Sequence, residues 1–306
     1  MPELPEVQTT VNGINTYLKG LSISDTWTNY GNISGFHTGK DHIKDAKFFT
    51  YFKKQVVGRK IVSAKRRAKN ILIELDDESI ILIHLKMTGH LMYGTYMFDK
   101  TDKKDPWKGV SPESLKDPFN RHVRFIITLS DGKYLALSDM RKFAKVTYIP
   151  KEDIGQTLHL KDLGPEPLDP EFTKEEFKQR LQKRMGGKIK TVLLDPKIVV
   201  GIGNIYSDEI LWRASIHPER LIKNITDKEF ETMFEATRET LKKGIDFGGD
   251  SMSDYRNILG ERGKFQAEHK AYRKTGTKCE KRGCTGTIKR KVIGGRSAHF
   301  CDVHQK

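Results

Sequence analysis

A change of pattern near the middle of the chain limits its possible folds most strongly. Before residue 150, short apolar runs alternate with turn residues, as in "KIVSAKRRAKNILIEL", "SIILIHLKM" and "VRFIITLSDGKYLALSDM", which is typical of strands and hairpins. "LGPEPLDPEF" follows, and its prolines continue neither a strand nor a helix. Beyond it, apolar residues recur at helical spacing, and Thr173 and Thr226 occupy N-cap positions. The sequence therefore predicts an α+β protein of several domains.

The predicted domain order follows from this pattern. Residues 1–149 are expected to form a β-sandwich with flanking helices, residues 150–170 a linker and residues 171–262 a helical domain. Residues 263–306 lose helical periodicity and contain all three cysteines, which predicts a small separate module. Within the sandwich, residues 94–120 are expected to be a long polar excursion between strands.

The charge balance points to a polyanionic partner. The 306 residues carry a formal net charge of +15, and residues 263–306 alone hold 12 Lys and Arg against 3 Asp and Glu. A generally basic surface is the alternative, but the clustering argues against it. No apolar run approaches membrane-spanning length and the N-terminus has no secretory signal pattern, so we expect a cytoplasmic protein without membrane contact.

The cysteines have the spacing of a zinc ribbon. Four residues separate Cys279 from Cys284, two separate Cys301 from His304, and the hairpin-length "GTIKRKVIGGRSAHFC" lies between the pairs. A segment this short and polar buries little, so a metal would supply its folding energy. We predict one structural zinc ion on these four residues, with His299 as a competitor for His304. Three reduced cysteines beside a chance histidine are the alternative explanation.

The N-terminal "MPELPEV" has two interpretations. Pro5 and Glu6 suit the first turn of a helix, whose apolar face would continue to Leu18. That interpretation leaves Pro2 and Glu3 unexplained. If Met1 is removed, Pro2 becomes a free α-amine, which titrates far below lysine and attacks electrophilic carbon near neutral pH.

Two further segments have the composition of phosphate-binding loops. "GIGN" precedes a predicted helix capped by Asn204, and its glycines would let backbone amides approach a phosphate; a plain turn is the alternative. "RRAKN" places Lys69 in a tight turn between strands, either as a phosphate clamp or as part of a solvated basic hairpin.

Taken together, these segments resemble the formamidopyrimidine-DNA glycosylase and endonuclease VIII family. The resemblance rests on "MPELPEV", "RRAKNILIEL", "HLKMTG", "DMRKF", "LGPEPL", "LLDPKIVVGIGNIYSDEIL", "IHPER", "GKFQ" and the terminal cysteines, in that order. It implies an N-terminal β-sandwich, a helix–two-turn–helix domain and a C-terminal zinc-finger hairpin. It also implies that a monomer binds damaged duplex DNA, associated with the nucleoid when bound.

The resemblance implies specific roles for individual residues. Pro2 would form a Schiff base with the sugar, Glu3 would act in acid–base chemistry, and Glu6 would support the same site. Lys69 and Arg296 would bind phosphates and assist β- and δ-elimination. The residues expected to contact DNA are His84, Met87, Arg141, Phe143, Lys190, Asn204, Tyr272 and Arg290, of which Met87, Arg141 and Phe143 would fill the space left by a flipped nucleotide.

Ordinary core packing is the alternative explanation for Met87 and Phe143.

The chain also departs from the family's pattern. His304 stands where a cysteine is usual, four residues rather than two separate the first zinc cysteines, Asn120 replaces a histidine near the DNA, and Ala144 replaces a glycine.

The loop "GGDSMSDYRNILGERGKFQ" matches the one that closes over flipped oxidised purines, so we expect 8-oxoguanine and formamidopyrimidines as substrates. An endonuclease VIII-like enzyme for oxidised pyrimidines and a non-catalytic DNA-binding protein are the alternatives.

Overall fold

The computed structural model describes residues 1–30, 42–155, 157 and 160–306. They form two compact units, one mostly β and one mostly α. The first contains Met1–Pro2, Glu6–Lys161 and Gly248–Lys264, and the second contains Glu3–Pro5, Asp162–Phe247 and Phe265–Lys306. Gly248–Lys264, most of which lies within the predicted helical domain of residues 171–262, therefore groups with the first unit.

Two antiparallel sheets form the predicted sandwich in the first unit. Strands β1-β7-β8-β5-β6 make one sheet and β2-β3-β4-β9 the other. Gly132, which has a φ of +78°, lies in the tight turn between β7 and β8. The strands are Ile23–Thr28 (β1), Ile61–Arg67 (β2), Asn70–Leu75 (β3), Ile80–His84 (β4), His90–Phe98 (β5), Trp107–Ser111 (β6), Val123–Leu129 (β7), Tyr134–Ser138 (β8) and Lys145–Ile149 (β9).

The α-helices described in this unit are α1 (Leu4–Tyr17), from Glu6 onward, and α2 (Ala46–Val56). The predicted apolar face of α1 is confirmed. Val7, Val11 and Ile14, together with Leu18 directly after the helix, are at most 2 % exposed and pack in the same core as both sheets. Burial of each such side chain stabilises the fold by about 1.5–3 kcal/mol. Helix α2 was not predicted from the sequence. Asp45 caps it by accepting a hydrogen bond from Phe48 N at 2.8 Å.

The expectation that residues 94–120 form a polar excursion was wrong. This segment contains the end of β5, all of β6 and two 3₁₀ helices, Glu113–Lys116 and Pro118–Asn120. Its apolar residues Trp107 and Leu115 join a small core on the outer face of the larger sheet. They stand singly among charged residues, so no periodic pattern marks them.

The second unit contains four helices and a hairpin among its described residues. Its core joins Leu4 at the N-terminal end to the apolar faces of these helices. Thr173 caps α3 and Thr226 caps α6, as predicted. The complete capping box forms at Thr226 with Glu229. The elements are α3 (Lys174–Gln182), α4 (Ile189–Leu193), α5 (Asn204–Ala214), α6 (Asp227–Asp246), β10 (Ile288–Ile293) and β11 (Arg296–Cys301).

The hairpin between β10 and β11 turns through Gly294 and Gly295, whose φ angles of +55° and +74° favour glycine. This confirms the hairpin predicted between the cysteine pairs. Within the described parts of the chain, we find no helix with the length and hydrophobicity to cross a membrane.

Candidate active site and nucleic-acid interface

Glu3 caps helix α5 from outside the helix. Its carboxylate accepts hydrogen bonds from the backbone N–H groups of Gly203 (2.7 Å), Ile205 (2.9 Å) and Tyr206 (3.3 Å). The first N–H groups of a helix have no partner within the helix, and the helix dipole favours a negative charge there. Because Glu3 is only 2 % exposed, these bonds hold its carboxylate in one position.

The glycines of "GIGN" make room for the N-terminal segment. A Cβ atom on Gly203 would lie 2.4 Å from Glu3 Cδ, and one on Gly201, whose φ is +84°, would lie 2.6 Å from Leu4 Cδ1. The amides of this turn therefore bind a carboxylate of the protein itself, where the sequence reading expected a phosphate. Asn204 is the first residue of α5 and not its N-cap, which is Gly203. Its Oδ1 atom is buried and has no hydrogen-bond partner among the described residues.

Glu6 ties the first turn of α1 to the loop Gly248–Lys264 in the first unit. Its Oε1 accepts a hydrogen bond from Asp250 N at 2.7 Å, and its carbonyl oxygen accepts one from the Tyr255 hydroxyl at 3.0 Å. Glu6 is 1 % exposed and Pro2 is also buried, whereas Met1 is 41 % exposed. The start of α1 is thus held firmly while the residue before Pro2 remains accessible.

Lys69 lies in the two-residue turn between β2 and β3. Ala68 in this turn has a φ of +55°, and Lys69 itself is half-buried. In the neighbouring strand β4, burial and the nearby charges of Lys86 and Lys69 lower the pKa of His84 to about 3. His84 Nδ1 accepts a hydrogen bond from Lys86 N at 3.0 Å, so its proton sits on Nε2. This end of the sheet therefore combines a cation with a neutral N–H donor, a pair suited to phosphate oxygens.

Met87 and Arg141 lie on adjoining turns. Met87 is 37 % exposed and is absent from the described apolar cores, so core packing does not explain it. The Arg141 guanidinium lies 4.6 Å from the centre of the Phe143 ring. Arg141 N donates to Thr88 Oγ1 at 3.1 Å, which joins the two turns.

The buried carboxylate of Asp139 holds the two turns that contain Met87 and Arg141. Its carboxylate accepts hydrogen bonds from the Thr88 hydroxyl (2.5 Å), the Ala144 amide (2.7 Å) and the Tyr30 hydroxyl (3.0 Å), and it is fully buried. Ala144 is also fully buried and fits without a glycine at that position.

Asn120 is a structural residue in this chain. It is 2 % exposed, its Nδ2 donates to Ser114 O (2.8 Å) and Gly260 O (3.1 Å), and its Oδ1 lies 2.9 Å from His90 Nε2. The amide thus fastens the 94–120 segment to the Gly248–Lys264 loop, and its burial leaves no surface for a DNA contact.

Lys190 was expected to contact DNA, and the structure contradicts this. Its side chain is fully buried, and Nζ donates to Asp208 Oδ1 at 2.6 Å and Ser207 Oγ at 3.0 Å. The other carboxylate oxygen of Asp208 accepts from His299 N (3.0 Å) and lies 2.9 Å from His299 Nδ1. Lys190 therefore joins α4, α5 and β11, because a buried ammonium requires an anionic partner. His299 serves the same network and does not lie in the cysteine cluster.

Glu209 holds the segment that contains Tyr272. Its carboxylate accepts the backbone N–H groups of Lys270 (2.8 Å), Ala271 (3.0 Å) and Tyr272 (2.8 Å). Burial raises the pKa of Glu209, and the three amides oppose this effect. The Tyr272 ring packs edge-on against His299, with the ring centres 5.1 Å apart.

The two arginines of the hairpin differ in their surroundings. Arg290 donates to the Ser297 hydroxyl from Nε (3.1 Å) and from a terminal nitrogen (2.7 Å). Arg296 is exposed directly after the Gly294–Gly295 turn. Both side chains remain at the surface, where anions reach them.

Cys279, Cys284, Cys301 and His304 form a cluster that fits a metal ion. Their four ligand atoms lie within 4.8 Å of one another. His304 Nδ1 faces Cys279 Sγ at 3.2 Å, and His304 Nε2 lies 3.1 Å from the Trp212 carbonyl oxygen. Ligating histidines commonly fix the second nitrogen on such a carbonyl, so the ring is already oriented for tetrahedral zinc.

Comparisons with known proteins agree with this arrangement. Residues 1–146 match the formamidopyrimidine-DNA glycosylase N-terminal domain, and residues 163–256 match the formamidopyrimidine-DNA glycosylase H2TH domain. The chain belongs to the formamidopyrimidine-DNA glycosylase family. The formamidopyrimidine-DNA glycosylase of Bacillus subtilis is 37 % identical over 302 residues, 98 % of each chain, and that of Pelotomaculum thermopropionicum is 33 % identical over 306 residues, 100 % of this chain and 99 % of the relative.

Solved structures of this family share the fold over the whole chain. Lactococcus lactis Fpg in complex with DNA containing an abasic site has a TM-score of 0.81 and 30 % identity, with 99 % of both chains covered. The complex of a Lactococcus lactis Fpg mutant with Fapy-dG-containing DNA also has a TM-score of 0.81 and 30 % identity, with 100 % of both chains covered. The alignment with the second complex therefore includes the terminal hairpin of this chain.

Three buried acids near the candidate DNA contacts were not predicted from the sequence. Asp139, Asp208 and Glu209 are buried acids that accept backbone or side-chain hydrogen bonds around candidate DNA contacts. A signal existed for two of them, because "IYSDEIL" places adjacent acids within an otherwise apolar helix. Buried acids need partners, so such a pair predicts a polar network beneath the surface.

Proposed function

We propose that this chain is a bifunctional DNA glycosylase and AP lyase that removes oxidised purines from duplex DNA. The observation that carries the proposal is the anchored N-terminus: Glu3 is fixed by three backbone amides, and Glu6 ties the next turn to the rest of its unit. A protein that only binds DNA has no need to fix the residues beside its terminal amine. Membership of the family supports the same activity.

In the proposed reaction, removal of Met1 exposes the Pro2 amine. The nitrogen bonds to C1′ of the damaged nucleotide as the bond from C1′ to the base breaks, and the base leaves with a proton. The amine loses its proton, the C1′–O4′ bond then breaks as O4′ takes up a proton, and the resulting ring-opened iminium is the Schiff base. Loss of a C2′ proton then expels the 3′ phosphate, and a second elimination expels the 5′ phosphate. We assign acid–base chemistry at the sugar to Glu3, support of the helix start to Glu6, and phosphate binding to Lys69 and Arg296.

We assign the DNA contacts to exposed or half-buried groups. His84 offers a neutral N–H donor and Asn204 a side-chain amide, whereas Arg290 and Tyr272 belong to the basic C-terminal segment. Met87, Arg141 and Phe143 would fill the space left by the flipped nucleotide, because an apolar wedge and a guanidinium replace stacking and base pairing.

The four residues of the cysteine cluster would hold one structural zinc ion. Zinc would supply the folding energy that this small, basic segment lacks. Glu209 and Asp208 would attach this segment to α5, because their carboxylates accept hydrogen bonds from its backbone amides.

Trapping with borohydride tests the proposal. The processed protein incubated with an 8-oxoguanine duplex should give a covalent adduct, which should vanish in Pro2→Gly and when Met1 is retained. Lys65→Ala is a control for trapping through an exposed lysine amine. The Lys65 side chain is 74 % exposed, and the adduct should persist without it. An adduct formed only with duplexes that contain oxidised pyrimidines would indicate an endonuclease VIII-like substrate range. Binding to damaged DNA without any adduct would favour the non-catalytic alternative.

A further inference from the structure

A buried arginine joins the 94–120 segment to the Gly248–Lys264 loop within the first unit. Arg256 is 2 % exposed, and its Nε and a terminal nitrogen both donate to Asp117 Oδ2, at 3.1 and 3.0 Å. Its other terminal nitrogen donates to the carbonyl oxygens of Ser253 (3.0 Å) and Tyr255 (2.9 Å). A single guanidinium thus fixes the loop's own backbone and anchors it to Asp117.

Two further bonds join the same two segments. The Ser114 hydroxyl donates to Leu259 O at 2.5 Å, and Asn120 Nδ2 donates to Gly260 O at 3.1 Å. The backbone there fits closely, because a Cβ on Gly260, whose φ is +82°, would lie 2.9 Å from Asn120 Nδ2. The loop is therefore attached to the 94–120 segment at Arg256, Leu259 and Gly260.

The opposite side of the loop packs along helix α1. Asp250 N and the Tyr255 hydroxyl donate to Glu6, as described above. About two turns further along α1, Ile258 fits against Gly13, where an added Cβ would lie 2.4 Å from Ile258 Cγ2. The loop thus fills the space between the 94–120 segment and the first turns of α1.

We propose that Asp117 and Arg256 are positioning residues for the Pro2 amine. The 94–120 segment braces the loop, the loop braces the first turn of α1, and that turn begins two residues after Pro2. A displacement of about 1 Å in a reacting group reduces a rate by roughly two orders of magnitude, so a brace remote from the chemistry affects it strongly. This proposal rests on the proposed function of Pro2 and gives the 94–120 segment a role.

Asp117→Asn tests whether the ion pair between Asp117 and Arg256 positions the Pro2 amine. The asparagine oxygen still caps the 3₁₀ helix at Phe119, as Asp117 Oδ1 does at 2.8 Å, but the carboxylate charge facing Arg256 is lost. Glu113→Gln is the matched control, because Glu113 forms an exposed ion pair with Lys116 on the same segment. Ser114→Ala provides a milder second variant should Asp117→Asn fold poorly, and Asp117→Glu tests rescue of the charge.

Two measurements on the full chain decide the proposal. Hydrogen exchange of the DNA-free protein should be faster in residues 4–10 and 249–260 of Asp117→Asn than in wild type or Glu113→Gln. Single-turnover borohydride trapping on an abasic-site duplex should be slower by roughly tenfold or more, while the Kd for a non-cleavable duplex stays within about twofold. This split between binding and reaction separates positioning from a general loss of folded protein.

Other results would overturn the proposal. Unchanged hydrogen exchange in residues 4–10 of Asp117→Asn would contradict the positioning role. Normal trapping rates in both Asp117→Asn and Ser114→Ala would also contradict it, when the wild-type chain forms the covalent adduct. Either result would leave the proposed function intact. Absence of any adduct with the wild-type chain would instead remove the proposed function, and this proposal with it.

Discussion

Lys190 Nζ and Asp208 Oδ1 lie 2.6 Å apart, and neither side chain is more than 1 % exposed. Asp208 also holds the backbone and ring of His299, so one carboxylate joins α4, α5 and the hairpin that carries Arg290 and Arg296. The network is internal to the second unit. It fixes the first turns of α5 relative to the hairpin, and both elements carry candidate DNA contacts.

Removing one partner of this pair should destabilise the protein strongly. Asp208→Ala leaves a buried ammonium without an anion, and such changes cost about 3–5 kcal/mol. Urea unfolding of the zinc-saturated protein measures the loss. Glu239→Gln is the control, because the exposed Arg213–Glu239 pair on α5 and α6 should contribute no more than about 1 kcal/mol. Equal effects of the two variants would contradict the assigned role of the buried pair.

The fold was largely predictable from local patterns. Several features depend only on residues that are close in sequence. These are the alternating pattern of the strands, the prolines after residue 162, and the helix caps at Thr173 and Thr226. The cysteine pairs were equally visible, because metal ligands recur at short, regular spacings.

The network around the candidate site was less predictable, because it depends on residues far apart in sequence. The sequence indicates a surface cation at Lys190, because its partner Asp208 and the next member of the network, His299, are distant in sequence. The glycines of "GIGN" were recognised as necessary, but their partner proved to be Glu3, some 200 residues away in sequence. Arg256 gave no signal, since a single arginine in a polar loop is ordinarily exposed.

Gly203→Ala should impair base excision more than a simple loss of stability explains. The new Cβ would lie 2.4 Å from Glu3 Cδ and would displace a carboxylate that three amides hold in place. We expect the single-turnover rate on an 8-oxoguanine duplex to fall by roughly tenfold or more. Gly186→Ala is the matched control, because nothing lies within 4 Å of its added Cβ and its rate should match wild type. A normal rate in Gly203→Ala would show that the position of Glu3 is unimportant.

His84 and His90 should make the first unit sensitive to acid. Burial lowers the pKa of His84 to about 3 and that of His90 to about 4, both below the usual 6.5. Between these values and pH 6.5 the unfolded chain binds more protons, so stability is complete above pH 6.5 and falls as the pH drops towards 4. Each histidine adds a slope of up to about 1.4 kcal/mol per pH unit.

Urea unfolding at several pH values measures this slope. Trp212→Phe removes the one tryptophan of the second unit, so Trp27 and Trp107 then report on the first. His90→Gln in that background keeps a donor for Asn120 but cannot titrate, and the slope below pH 6.5 should become shallower. An unchanged slope would mean that His90 does not titrate between the folded and unfolded states.

Metal analysis should distinguish the two histidines near the cysteines. We expect about one zinc ion per chain, reduced in His304→Ala and retained in His304→Cys, because a thiolate replaces the imidazole as a ligand. His299→Gln should keep its zinc, since His299 bonds to Asp208 and not to the cysteine cluster. Removal of zinc by a chelator should weaken DNA binding and unfold the C-terminal segment, measured by salt-dependent affinity and hydrogen exchange. Full zinc content in His304→Ala together with loss of zinc in His299→Gln would reverse the assignment.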